Sequence, residues 1–173
     1  LLDDWWQSVE DVFNAYKDAD PKKRVKWGGP EMSARSKITA RHMETWAHGQ
    51  EVFDALGKDR EEKDRIKNIV HMGVIAYGWT FVNRKLAIPE PTHYIILTAP
   101  SGKVWQWNDK ESSSKIEGTA VEFAQVVTQV RNFADTKLSI TGEPAIEWMK
   151  YAQCFAGPPE DPPAKGTRYK VAN

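Results

Sequence analysis

The chain cannot form a disulfide within itself, because it has one cysteine, Cys154, and a bridge needs two. Such sparing use of cysteine fits a reducing compartment, so a cytoplasmic location is expected. Charge of one sign is not in excess either. The 24 Lys and Arg residues are matched by 24 Asp and Glu, so there is no basic field to gather nucleic acid and no charged block of the kind that forms tails. No apolar run is long enough to span a bilayer, and no signal-peptide pattern is present. Neither nucleic acid nor a membrane is therefore an expected partner. There is no internal repeat. The chain also lacks a methionine at its start. It opens "LLDDWWQSVEDV", already inside a helical pattern, and so reads as processed or as part of something longer.

What is present is aromatic and patterned. Eight tryptophans in 173 residues favour a folded chain with a core, as one domain or two small ones. Trp5, Trp6, Val9, Val12, Phe13 and Tyr16 recur at the helical period, which predicts a helix over 3–18. "DPKKRVKWGGP" follows as a loop, punctuated by Pro21, Gly28, Gly29 and Pro30. A second helix is expected over 33–56, roughly 36 Å long, with Ile38, Met43, Trp46, Val52, Phe53 and Leu56 as its apolar stripe and Gly57 as its stop. A third, over 59–84, carries Ile66, Ile69, Val70, Val74 and Tyr77. The period then changes. "THYIILT" (92–98) and "KVWQW" (103–107) read as paired strands around "APSG". Thr119 and Glu122 have capping-box spacing at the head of a helix holding Phe123, Val126, Val127 and Val130. "KLSIT" (137–141) is a strand, and 142–157 a last helix with Pro144 in its first turn. The fold class is α+β: a helical half at 1–88, an α/β half at 89–157 behind the Pro89–Pro91 break, and a proline-rich irregular tail at 158–173.

The chemistry concentrates in "HMETWAHGQE" (42–51). Glu44 and His48 are four apart, so on a helix they share a face with Cβ atoms about 5–6 Å apart. Both could reach one ion at the usual Zn–O and Zn–N distances of roughly 2.0–2.2 Å. His42 points elsewhere. Gly49 costs about 1 kcal/mol relative to alanine in a helix, and makes room for a substrate or a neighbouring helix. Glu and His at this spacing also arise on ordinary solvated faces, and zinc takes three or four protein ligands. Spacing alone leaves both readings open. His71, on an apolar helix, reads as a hydrogen-bonded core histidine, and His93 as a strand residue. Cys154, in a last helix of apolar character, reads as packed rather than nucleophilic.

The segment "GPEMSARSKITARHMETWAHGQEVFDALG" resembles the metal-binding helix of the DinB-like proteins, in the branch of the mycothiol-dependent maleylpyruvate isomerases. "IVHMGVIAYGWTF", the strand pair and "FAQVVTQVRNFADTKLSITGEPAIEWMKYAQCFAGPP" resemble an uncharacterised bacterial subfamily of that branch, so the likeness covers roughly residues 1–160. The resemblance implies a four-helix bundle holding a divalent metal, expected to be zinc. Its ligands are a histidine from the second helix and an ExxxH pair from the fourth, here Glu44 and His48. Glu51 falls where such isomerases often carry an aspartate near the thiol cofactor. The C-terminal half resembles a sterol-carrier-like α/β module.

The helix expected at 3–18 corresponds to the family's third, so its first two helices, with the remaining histidine, have no counterpart here. The chain accordingly reads as truncated at its N-terminus. That predicts exposure of apolar side chains such as Trp5, Trp6 or Trp46, and weak metal binding by Glu44 and His48 alone. The function implied is thiol-dependent S-transfer or isomerisation, with a small-molecule substrate, a low-molecular-weight thiol and a divalent metal. A rival reading has no chemistry. In it the C-terminal half binds an apolar ligand along Tyr94, Ile96, Trp105 and Trp107, and the helical half serves as a structural partner or joins a homodimer. A structural metal site without a substrate is a third reading.

Overall fold

The computed structural model describes residues 1–27 and 31–171. Gly28, Gly29 and Pro30, read above as loop punctuation, lie outside the described residues, as do the last two residues of the tail. The chain divides into two compact units, Leu1–His42 and Met43–Asn173. The divide falls inside the second helix.

The first unit begins with α1, Leu2–Tyr16, which starts with Asp3 and Asp4 in its first turn, where the helix dipole favours acids. It buries none of its residues. Trp5, Trp6, Val9 and Phe13 stand 41–64% exposed on one face. The expected loop contains a two-residue ladder, in which β1 (Arg24–Val25) pairs antiparallel with β2 (Met32–Ser33). α2, Ala34–Ala55, then runs out of this unit into the next. It ends as the sequence predicts. Gly57 sits at φ 62°, the Gly57 N–H bonds to the Asp54 carbonyl at 3.1 Å, and the Lys58 N–H to that of Phe53 at 3.0 Å. This pair of bonds is a Schellman cap, which needs a residue free to adopt the left-handed conformation.

The second unit is α+β. A four-stranded sheet has the order β4-β3-β5-β6, built from β3 (Tyr94–Thr98), β4 (Val104–Trp107), β5 (Lys115–Thr119) and β6 (Ser139–Thr141). β3 and β4 form the expected antiparallel hairpin, with Leu97 opposite Trp105. β5 was not anticipated. Its "KIEGT" alternates weakly, yet it pairs parallel with β3 on the other side, Ile95 opposite Ile116. α5, Ala120–Val127, starts at the capping box: the Thr119 hydroxyl accepts from the Glu122 N–H at 3.1 Å and donates to the Glu122 carboxylate at 2.8 Å.

The core lies where α5 packs against β3, β5 and α3. Gly73 sets that helix spacing. A Cβ there would stand 2.6 Å from Val127 and 3.1 Å from Phe123, closer than packed carbon atoms approach, so only glycine lets the helices meet this closely.

Two helices are shorter than their patterns suggest. The one expected over 59–84 starts with a 3-10 turn at Asp64–Ile66 and runs as α3 (Lys67–Ile75) and α4 (Tyr77–Asn83), broken at Ala76. Residues before Asp64 stay out of the helix because Arg60 and Glu62 bond to Trp46 instead. The bend at Ala76 turns Tyr77, Thr80 and Phe81 into the core. The last helix, α6, covers only Glu143–Met149. Beyond it the backbone bonds sideways, as in Cys154 N–H to the Val127 carbonyl at 2.9 Å. The tail forms no regular structure but is tied down at several points, including Asn132 to the Pro163 carbonyl and the Gly166 N–H to Asp135. No helix among the described residues is long and apolar enough to cross a membrane.

The two outlying histidines exchange places. His71 is exposed on α3 and accepts a 3.3 Å bond from the Trp107 indole. His93, just ahead of β3, is 1% exposed. It stacks on Trp148 with centroids 5.1 Å apart and bonds Ser114 through Nδ1 at 2.8 Å.

Burial penalises the imidazolium and lowers the His93 pKa from 6.5 to about 4. The unfolded chain therefore takes up this proton before the folded chain does, and stability falls as the pH drops from about 6.5 to about 4. At about 1.36 kcal/mol per pH unit the loss approaches 3 kcal/mol. Urea titrations across that range should show a shallower slope for His93→Gln than for the native chain.

Candidate functional site

The regular geometry of a helix does most of the placing here. Glu44 and His48 both project from α2, and the His48 Nε2 lies 3.6 Å from the Glu44 Oε2. Two donors of a tetrahedral ion at bond lengths of about 2.0–2.2 Å stand roughly 3.3–3.6 Å apart. The pair thus has the separation that two positions of one tetrahedral ion require, and carboxylate plus imidazole is a donor set that suits zinc. His48 is 73% exposed and Glu44 52%, so the pair opens to solvent.

On the other side of the ring, Nδ1 lies 3.1 Å from the Glu51 Oε2. The second Glu51 oxygen takes the guanidinium of Arg168 from the tail. Burial pushes the Glu51 carboxyl up, but the His48 hydrogen bond and the Arg168 charge outweigh it and hold its pKa below the usual 4.5. Among the described residues, no group of three or more His, Cys, Asp or Glu side chains is arranged to hold an ion. Glu44 and His48 therefore fit two positions of a metal and leave the rest to water, a small molecule or another ligand.

The inner face of α2 explains why these side chains point outward. Met43, Trp46 and Ala47 are buried in the core cluster. Trp46 was expected among the exposed apolar residues together with Trp5 and Trp6. Those two are 54% and 59% exposed, but Trp46 is 2% exposed. Its indole N–H donates to Glu62 at 3.0 Å, and the Arg60 guanidinium covers its ring at 5.3 Å. The neighbour of Gly49 is the Arg60 guanidinium, which a Cβ there would meet at 3.4 Å, an ordinary contact distance.

Asp54 closes the same helix. Its side chain is held by Gln50 at 3.0 Å and by Arg131, from just beyond α5, at 2.7 Å. Its carbonyl accepts the Val171 N–H at 2.9 Å as well as the cap bond. Sequence reasoning passed over Asp54, Arg60 and Arg168. Asp54 carried a signal, because an acid in the last turn of a helix opposes the dipole and implies a specific cation. Arg168 carried none, since nothing in a proline-rich tail indicates where it returns.

Of the remaining candidates, Cys154 and Trp105 lie in the core. Cys154 is buried, and burial, with the charge of Glu44, pushes its thiol well above the ordinary range. It is a packed residue. Tyr94 and Trp105 are buried and Trp107 packs against the same core. Trp105 and Trp107, opposite Leu97 and Ile95, belong to the core side of the sheet, whereas Tyr94 and the half-buried Ile96 lie outside the core cluster.

Asp54→Ala leaves Arg131 buried without its partner, which costs about 3–5 kcal/mol. Denaturant unfolding should show that loss, and Asp54→Ala combined with Arg131→Met should cost less than the sum of the single changes.

Comparison with known proteins bears on this helix directly. Residues 1–53 match the family model described as the mycothiol maleylpyruvate isomerase N-terminal domain, and Glu44, His48 and Glu51 all lie inside the match. Two uncharacterised proteins of Mycobacterium tuberculosis, from different strains, are each 37% identical over 159 residues, 92% of this chain. The chain spans 62% of the length of each. No solved structure matches it. Residues 1–53, which hold Glu44, His48 and Glu51, are thus similar to the mycothiol maleylpyruvate isomerase N-terminal domain.

Proposed function

We propose that the chain is the divalent-metal-binding part of a thiol-dependent S-transferase or isomerase of the maleylpyruvate isomerase type. The observation that carries this reading is the 3.6 Å separation of the Glu44 carboxylate and the His48 Nε2 on an exposed helix face. Its support comes also from the family of residues 1–53. Zinc suits the donors best, mycothiol is the thiol the family points to, and the reading places the protein in the cytoplasm.

Glu44 contributes the negative charge that offsets a dication, and His48 the neutral nitrogen donor. The metal, when bound, supplies Lewis acidity and favours the thiolate over a thiol that otherwise titrates near about 8.5. The inner face of α2, anchored by Trp46, keeps both ligands directed to solvent, where a thiol and a substrate can approach together. Cys154 plays no chemical part, so the thiol comes from the small molecule. The core position of Trp105 counts against the apolar-carrier reading.

Equilibrium dialysis with zinc tests the proposal. Glu44→Ala and His48→Ala should each weaken binding more than the about 10- to 100-fold typical of losing a supporting partner. Both variants retaining native affinity would remove these residues from any metal site.

A further inference from the structure

His48 has a carboxylate at each ring nitrogen, and the two distances differ in a way that decides the tautomer. Nδ1 is 3.1 Å from Glu51, within hydrogen-bond reach. Nε2 is 3.6 Å from Glu44, beyond it. A neutral imidazole carries its proton on one nitrogen only, and an ionised carboxylate can only accept. In the neutral imidazole the nitrogen facing Glu51 at bonding distance is therefore the N–H. In that neutral form Nε2 has its lone pair toward Glu44, and two acceptors face each other across a 3.6 Å gap. A cation in that gap satisfies both.

We infer that Glu51 is the positioning residue for His48: it accepts the Nδ1–H and holds the imidazole with the Nε2 lone pair directed at the space shared with Glu44. This inference rests on the metal-site reading above. It assigns Glu51 to the histidine rather than to the thiol. Metal-binding histidines commonly donate their second ring N–H to a carboxylate, which fixes ring orientation and raises ligand basicity. Here the whole relay lies within two turns of one helix, at positions 44, 48 and 51.

Arg168 completes the arrangement. Glu51 uses Oε2 for His48 and Oε1 for Arg168, so neither partner displaces the other. Arg168 is brought to α2 because the tail is fastened on both sides of it. Gly166 bonds Asp135 at 2.7 Å, Lys170 bonds Asp59 at 2.6 Å, and Val171 bonds the Asp54 carbonyl at 2.9 Å. A solvent-exposed glutamate samples many rotamers, and the guanidinium restricts it to the one that meets His48.

The test separates the tautomer from the metal. In the metal-free chain, with His48 fully neutral, 15N-detected NMR of the imidazole should report Nδ1–H as the major form. Glu51→Ala should shift it toward Nε2–H, the form free histidine prefers in water, and Glu51→Asp should restore part of the native signature. Arg168→Met should give an intermediate shift. With zinc, Glu51→Ala should bind about 10- to 100-fold more weakly than the native chain.

A tautomer ratio unchanged in Glu51→Ala overturns the inference, whatever the zinc result. So does unchanged zinc affinity in Glu51→Ala when His48→Ala has lost binding. If the native chain binds no zinc while Glu51→Ala still shifts the tautomer, the orienting role stands and the metal reading fails.

Discussion

One buried ion pair, Asp54 with Arg131 at 2.7 Å, fixes the end of α2 within the second unit. Each side chain is only about one-tenth exposed, so neither charge is satisfied by water and each requires the other. The same residue is a junction for the backbone, since its carbonyl takes both the helix cap and the returning tail. One position thus joins three parts of the second unit: the end of α2, the segment after α5, and the tail that carries Arg168. The pair need not be a net source of stability to matter. Its effect is to allow one arrangement of those three segments and to make others leave a charge buried alone.

Around that anchor, the two sides of α2 have different tasks. The inner side spends its polar groups on packing. Trp46 is fixed by Glu62 and covered by Arg60, whose guanidinium also lies beside Gly49. The outer side carries Glu44, His48 and Glu51, whose spacing follows from the helix period and needs no tertiary contact. A site on a helix held this way is more exact than one on a loop, because backbone hydrogen bonds set the separation of its donors. The one external contribution, Arg168, bears on the orientation of the set rather than its composition.

Much of the fold was legible. The helical period marked α1 and α2, the alternation and turn marked β3 and β4, and Thr119 with Glu122 marked the head of α5. The failures have local causes. β5 was missed because "KIEGT" has little periodicity of its own and is held by pairing on both sides. The third and last helices were drawn too long because Arg60, Glu62 and the backbone at Ala152–Cys154 find partners elsewhere in the chain. His71 and His93 were placed by the polarity of their neighbours, which does not say which way a side chain points. On α3, residue 71 falls on the outer face, and at the entry to β3, residue 93 falls inward.

By itself, the sequence determined the class of the fold, the ends of its strongest elements and the pairing of Glu44 with His48. These depend on short-range periodicity and on capping chemistry that acts over three or four residues. Only the tertiary structure decided that Trp46 is buried, that Glu51 faces His48 Nδ1 while its other oxygen holds Arg168, and that Asp54 is the anchor. Those outcomes join residues far apart in the chain, and Glu51 and Arg168 are 117 positions apart. No local rule reaches that distance. The deciding factors are burial and the need of each buried or half-buried charge for a partner, and these exist only once the chain has closed on itself.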